Sequence, residues 1–151
     1  ELHLLHFDNA RVLFARAIER KPDYAAAKDA LELVDKVEAL TKSPDYSSAD
    51  PQARLRSHFR VAMLAGRRTE ALELGEELLK DKTAPRAERR EAAEYWARFG
   101  PPLDLTRMLG PEGPARDVAD DAMLDAAALR IATAKELNDA WPALGIPVAA
   151  D

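Results

Sequence analysis

The sequence predicts an all-α fold. Three observations predict it. Ala and Leu supply most apolar residues of the 151-residue chain and aromatic residues only 6% of it, a composition typical of helices rather than sheets. Apolar residues recur at spacings of three and four. Proline, glycine and capping residues divide the chain into seven segments of helical length.

Charge and composition exclude several classes of function. A net charge of -5 argues against general nucleic-acid binding, which needs a basic domain. The absence of cysteine excludes thiolate zinc sites, thiol nucleophiles and disulfide bonds. No apolar run approaches the ~20 residues that a membrane span requires. We therefore expect a soluble protein without a membrane span, located in the cytoplasm or the periplasm.

Aspartates and a proline bound the first two predicted helices. Asp8 is predicted to cap the first helix and Pro22 to end it, because aspartate accepts from free backbone N–H groups and proline cannot continue a helix. Asp23 is predicted to cap the second, which runs from about residue 24 to residue 40. The predicted inner faces hold Ala10, Leu13, Phe14, Ala17 and Ile18 in the first helix and Tyr24, Ala27, Leu31 and Val34 in the second.

Short turn signals bound the remaining helices. Asp50 and Pro51 stand in the order of a cap and a first-turn proline, and Gly66 is suited to the left-handed residue that closes a helix. A fourth helix follows the turn at residues 67–68. Pro85 is predicted to open a fifth helix that Gly100 closes. The chain continues with a short segment at 103–109, a loop at 110–114, and a final helix from about residue 115 to residue 140, which Pro142 stops.

Two stretches resemble the tetratricopeptide repeat (TPR), a helix-turn-helix unit of about 34 residues. In the first stretch, Ala10, Phe14, Ala17 and Pro22 fall at the spacings of the family's second helix, and Phe7 supplies the preceding aromatic. Small residues at 10 and 17 suit the contact between the helices of a hairpin. Residues 1–5 would be only the end of the first helix of this repeat, so we expect the sequence to begin inside a repeat.

The second stretch places Gly66 in the turn between two helices, followed by Ala71, Leu78, Leu79 and Pro85 at the family's spacings. The fifth and sixth segments resemble a third, degenerate hairpin. The resemblance covers residues 1–110 of what we interpret as one domain, residues 1–151. Its predicted parts are a truncated repeat and the following helix at 1–42, a hairpin at 50–83, a degenerate hairpin at 85–110 and the last helix at 114–141.

The resemblance implies stacked antiparallel helical hairpins, closed by a C-terminal capping helix. It also implies a concave groove, lined by the inner helix of each hairpin, that binds a peptide or a partner protein. The arginines expected to line this groove would suit a partner that carries carboxylates, because a guanidinium group binds a carboxylate in a bidentate manner. An alternative is that these arginines only solvate the surface and pair with nearby glutamates. The residues expected to line the groove are Arg56, Arg60, Met63 and Leu64 on the third helix and Arg90, Glu94 and Arg98 on the fifth.

No residue pattern predicts catalysis, a cofactor or a metal. His3 and His6 could share a helical face, but no third ligand accompanies them, and His58 is interpreted as a packed histidine. The aspartates at 117, 120, 121 and 125 are interpreted as stabilising the start of the last helix rather than as a cation site. No serine lies in a nucleophile motif, and no glycine spacing fits a phosphate-binding loop.

The leading hypothesis is therefore a protein-interaction scaffold and not an enzyme. An alternative is a non-catalytic helical segment of a larger enzyme or envelope assembly, serving oligomerisation or positioning. A helical-bundle enzyme that uses acidic residues such as Asp121 is the third hypothesis. The expected partner is a protein or peptide rather than nucleic acid.

Overall fold

The computed structural model describes the backbone of residues 6–140 and the side chains of residues 6–136. This range contains helices, turns and loops and no strand, which confirms the predicted all-α class. The chain divides within α4 into two compact units, one ending at Leu74 and the other beginning at Gly75. None of the described helices is long and apolar enough to cross a membrane. The helices are α1 (Phe7–Arg20), α2 (Ala25–Thr41), α3 (Pro51–Leu64), α4 (Arg68–Lys80), α5 (Arg86–Phe99), α6 (Pro102–Leu109) and α7 (Asp121–Ala140).

In the first unit, α1 and α2 form an antiparallel hairpin. Phe7 at the start of α1 packs against the core cluster that contains Val37, near the end of α2. Arg11, one turn further along α1, pairs with Asp35 at 2.9 Å and also with Glu38. Helix α2 packs in turn against α3, where Val37 joins the buried Val61 and Ala65. Helix α2 thus lies between α1 and α3 and buries side chains against both.

The starts of α1 and α2 differ from the prediction. Helix α1 begins at Phe7, so Asp8 lies inside its first turn instead of capping it. Its carboxylate there still interacts favourably with the partial positive charge at the start of the helix. Helix α2 begins at Ala25 after Tyr24, and Asp23 caps nothing. Leu13 and Tyr24 were predicted to face inward, but they are 54% and 45% exposed. Buried Ala10 marks the side of α1 that is covered.

Helix α3 begins and ends as predicted. The Asp50 side chain accepts a hydrogen bond from the backbone N–H of Gln52 at 3.0 Å, and Pro51 occupies the first turn. At the other end Gly66 adopts a φ of 72°. The N–H of Gly66 donates to the carbonyl of Met63, and the N–H of Arg67 donates to that of Ala62. These two bonds define a Schellman motif, in which a left-handed glycine satisfies the last carbonyls of the helix.

In the second unit, α5, α6 and α7 pack against one another. Gly100 follows the end of α5, as predicted, and α6 begins at Pro102, one residue before the short segment predicted at 103–109. Pro85 stands at the cap position just before α5 rather than inside the helix. The buried side chains of the unit come mainly from α5 and α6 and include Ala92, Ala93, Trp96, Leu105 and Met108.

Helix α7 begins at Asp121, six residues later than predicted. Turns occupy residues 114–118, although Ala115 and Val118 are buried at a spacing of three, as they would be in a helix. The Asp120 side chain accepts a hydrogen bond from the backbone N–H of Met123 at 2.9 Å and so supplies the cap. Asp117 therefore lies outside the helix, which corrects its assignment to the first turns. The predicted stop at Pro142, His3 and the start of the first repeat lie outside the described residues.

Candidate partner-binding surfaces

The predicted groove residues fall in two units, and the first set lies on α3. Arg60 is exposed and Arg56 is half-buried. Met63 is also half-buried, whereas Leu64 packs against the core cluster of Val37, Val61 and Ala65. The two arginines therefore carry charge to the surface of α3, and Leu64 contributes to the interior of the unit.

Positive charge is concentrated along α3 and the turn that follows it. Residues 51–69 contain five arginines and no carboxylate, although the whole chain carries a net charge of -5. Arg54 donates to the backbone carbonyl of Ser48 at 3.3 Å, and Arg67 pairs with Glu70 at 2.7 Å. A surface with such an excess of one sign attracts partners of the opposite sign. The five are Arg54, Arg56, Arg60, Arg67 and Arg68.

His58 has a packing role on the same helix. Its Nε2 atom lies 3.0 Å from the backbone carbonyl oxygen of Tyr46, and the two rings are in contact, tilted by 33° with 4.3 Å between their centroids. Tyr46 in turn packs against the core of the first unit. The histidine thus fixes the loop between α2 and α3, in line with its interpretation as a packed residue.

The second predicted set lies on α5, which runs parallel to α7. The Arg90 guanidinium pairs with Asp120 just before α7 and with Glu94 at 3.0 Å on its own helix. Further along both helices, Arg130 donates to the carbonyls of Ala97 and Gly100, each at 2.7 Å. Because the two contacts follow the same order along both helices, α5 and α7 point in the same direction. Arg130 also satisfies carbonyl groups at the end of α5.

An open groove of about 530 Å³ lies between α5 and α7. Two predicted residues, Glu94 and Arg98, line it, whereas Arg90 is engaged in the ion pairs beside it. Leu129 at its edge is 68% exposed. Small side chains on the lining let another chain approach closely. The apolar lining consists of Ala97, Ala122, Met123, Ala126 and Leu129.

A buried arginine ties the loop before α7 to α5. Arg89 is 5% exposed, and its Nη2 atom lies 2.5 and 2.6 Å from the two carboxylate oxygens of Asp117. Lys82 also donates to Asp117, at 2.8 Å, and to the carbonyl of Pro114. The Arg89 guanidinium, followed by Lys82, lowers the pKa of Asp117 to about 2. Arg89 was not identified from the sequence. The signal for it is its position one turn before Ala92 on an apolar stripe, because a charge buried there needs a carboxylate partner.

A second carboxylate is held in the same way on α4. Arg107 donates to both oxygens of Glu76, at 2.7 and 3.1 Å, and Lys80 pairs with it at 2.7 Å. Arg107 in the first place, and Lys80 after it, lower the pKa of Glu76 to about 2. The Arg107 guanidinium also lies 6.0 Å from the centre of the Trp96 ring. This ion pair joins α4 to α6 at a point where both helices belong to the second unit.

The described residues contain no group of three or more His, Asp or Glu side chains placed to hold a metal ion. His6, Asp8 and Glu38 line a small cavity of about 320 Å³, but Glu38 is already engaged there with Arg11 and Lys42. The aspartates before and within α7 separate into different roles. Asp117 binds Arg89, and Asp120 caps the helix and pairs with Arg90.

The chain matches no protein-family model, and the searches of curated proteins and of solved structures likewise find no match.

Proposed function

We propose that this chain is a protein-interaction module of TPR-like helical hairpins, and that the arginine-rich surface of α3 binds an acidic peptide segment of a partner protein. One observation carries the proposal: residues 51–69 hold five arginines without a carboxylate in a chain of net charge -5. Arg56 and Arg60 are one helical turn apart and are the side chains expected to contact the peptide.

Two features of the fold support the repeat architecture. The hairpin of α1 and α2 and the Schellman turn after α3 are the short connections that such repeats use. Helices α5 and α7 are parallel, and α6 packs against both. This is the order of helices expected when one hairpin is followed by the first helix of the next. A rigid helical surface of this kind binds a peptide without a large ordering cost.

The energetics favour a moderate, salt-dependent affinity. An exposed ion pair contributes about 0.2–1 kcal/mol, whereas a bidentate arginine–carboxylate contact that excludes water contributes about 1.5–3 kcal/mol. Two such contacts, which together contribute about 3–6 kcal/mol, account for a change of about a hundredfold to ten-thousandfold in affinity, and added salt weakens them. Most of the discrimination between partners would then come from charge.

A fluorescence anisotropy titration tests the proposal. The probe is a fluorescein-labelled twelve-residue peptide with alternating Glu and Leu, and its control has Lys in place of every Glu. We expect the acidic peptide to bind and the basic one not to bind. The double change Arg56→Gln with Arg60→Gln should weaken binding about tenfold or more.

The matched control is the double change Arg16→Gln with Arg20→Gln, which removes the same charge from exposed positions on α1. It should alter the affinity less than about twofold, because loss of net charge alone has a small effect at physiological salt. Equal losses for both double variants, or equal binding of both peptides, would refute a specific site on α3.

A second candidate function is oligomerisation or positioning within a larger assembly. The open apolar groove between α5 and α7, with exposed Leu129 at its edge, favours it, because packing against another protein surface would remove these apolar side chains from water.

A further inference from the structure

The groove between α5 and α7 has matching halves. On α7, Ala122, Ala126 and Leu129 line the groove, and Thr133 continues the same stripe. Their spacings of four, three and four are those of a helix seam that packs along another helix. Ala126 and Leu129 stand at equal distances on either side of a midpoint, as do Ala122 and Thr133. An identical seam running in the opposite direction therefore places large Leu129 against small Ala126.

The charges on α5 show the same symmetry. Glu94 and Arg98 both line the groove and stand at equal distances on either side of Trp96. Contacts from Arg90 to Asp120 and from Arg130 to Ala97 put position 96 level with the Ala126–Leu129 stretch of α7. One twofold axis perpendicular to both helices consequently relates Glu94 to Arg98 and Ala126 to Leu129 at the same time.

Arg98 is available for such a contact. Within the described part of the chain it lies 5.1 Å from the centre of the Phe99 ring and forms no ion pair. Glu94 has one oxygen engaged with Arg90, and a carboxylate can accept from a second guanidinium. A partner that supplies a carboxylate opposite Arg98 and a guanidinium opposite Glu94 would complement this surface.

We propose that a second copy of this chain covers this groove, forming a twofold-symmetric dimer in which α7 packs antiparallel to α7 of the other copy. Leu129 of each copy packs on Ala126 and Ala122 of the other, and Glu94 of each copy pairs with Arg98 of the other. Every contact occurs twice because the interface is isologous. A second copy is favoured over an unrelated peptide because one axis satisfies the apolar and the charged residues together.

This proposal goes beyond peptide binding and does not depend on it. It assigns Glu94 and Arg98 to self-association, whereas the acidic peptide is assigned to Arg56 and Arg60 on α3. Replacing the α3 arginines is therefore expected to leave the dimer unchanged, and the two proposals can fail separately.

Sedimentation velocity of the full chain tests the dimer. The concentrations run from about 1 to 100 µM, a range that covers the dissociation constants of weak symmetric interfaces. We expect a species of twice the 16.7 kDa chain mass at the upper concentration. Leu129→Asp should raise the dissociation constant about tenfold or more, since it places a carboxylate against apolar side chains. The matched control is Leu103→Asp on α6, where the leucine is 90% exposed and outside the groove; this variant should remain dimeric.

A charge exchange tests the register. Glu94→Arg and Arg98→Glu should each be monomeric alone, because like charges then face each other across the axis. Mixing the two variants should produce a heterodimer, since each supplies what the other lacks, and the double variant Glu94→Arg with Arg98→Glu should dimerise again. Circular dichroism spectra serve as the control that each variant is folded.

Three results would overturn the proposal. The first is a wild-type chain that is monomeric at about 100 µM, a concentration high enough to populate weak dimers. The second is a Leu129→Asp variant that dimerises as the wild type does. The third is a mixture of the two charge variants that stays monomeric. A monomeric wild type that bound the acidic probe peptide through this groove would identify a peptide, and not a second copy, as its occupant.

Discussion

Arg89 of α5 holds both carboxylate oxygens of Asp117, a residue of the loop that leads into α7, with Nη2–oxygen distances of 2.5 and 2.6 Å. The arginine is almost fully buried, whereas about half of the aspartate side chain is exposed. A buried guanidinium stays charged, so the carboxylate of Asp117 compensates a positive charge that solvent reaches poorly.

Asp117→Asn should lower the free energy of unfolding by about 2 kcal/mol, because it leaves a buried positive charge uncompensated at a partly exposed pair. Asp125→Asn is the control, since Asp125 is exposed within α7 and should change stability by less than about 0.5 kcal/mol. Urea unfolding measures both. Adding Arg89→Met to Asp117→Asn should recover part of the loss, and a double variant no more stable than Asp117→Asn would argue against an electrostatic cause.

Stability should fall in acid through Asp117 and Glu76, whose pKa values in the folded protein are both about 2. Their ordinary values are 3.8 and 4.5, so the unfolded chain takes up protons at a higher pH than the folded chain does. The stabilisation is complete above about pH 5 and is lost as the pH falls towards about 2. Thermal unfolding from pH 6 to pH 2.5 should show this decline.

The double variant Asp117→Asn with Glu76→Gln should be less stable at pH 6 and show a shallower decline. Glu73→Gln, an exposed residue of the same helix as Glu76, should leave the wild-type slope unchanged. Parallel curves for the double variant and the wild type would show that other carboxylates cause the acid sensitivity.

Gly66→Ala should cost about 1 kcal/mol of unfolding free energy, because its φ of 72° places an alanine in the left-handed region. Nothing lies within 4 Å of the position that the new Cβ would take, so the cost is conformational and not steric. Gly66→Asn should cost less, since asparagine tolerates this region better. Urea unfolding of the two variants distinguishes this cause, and an equal cost for both would contradict it.

Asp50→Ala should destabilise the chain by about 1 kcal/mol, because the backbone N–H of Gln52 loses its acceptor at the start of α3. Asp45→Ala removes the same charge from an exposed position in the preceding loop and should have little effect. Differential scanning calorimetry compares the two. A similar drop in melting temperature for both variants would mean that net charge, and not the cap, is responsible.

Local signals predicted most helix boundaries correctly. Asp50 with Pro51, Gly66, and Gly100 with Pro102 all mark helix ends in the structure, because each residue type acts through its own backbone chemistry and needs no distant partner. Composition and spacing predicted the all-α class for the same reason.

Predictions that depend on tertiary contacts were less accurate. Ala115 and Val118 repeat a helical spacing, but turns hold them in the interior while the Asp117 side chain between them reaches Arg89. Spacing alone cannot distinguish these cases. Exposure of Leu13 likewise depends on which side of α1 is covered, and this is decided by the packing of α2 rather than by α1 itself.

Of the predicted binding residues, Glu94 and Arg98 line a groove, whereas Leu64 packs into a core. The sequence could place Glu94 and Arg98 on one helical face because they are one turn apart. It could not show that α7 returns beside them, since that depends on contacts of Asp120 and Arg130 with α5.

The parallel course of α5 and α7 also bears on how such a chain could lengthen during evolution. A tandem duplication of residues 86–120 would add one more long helix, one more short helix and one more loop in the same order. The new long helix would point the same way as its neighbours, so no novel chain reversal would be needed.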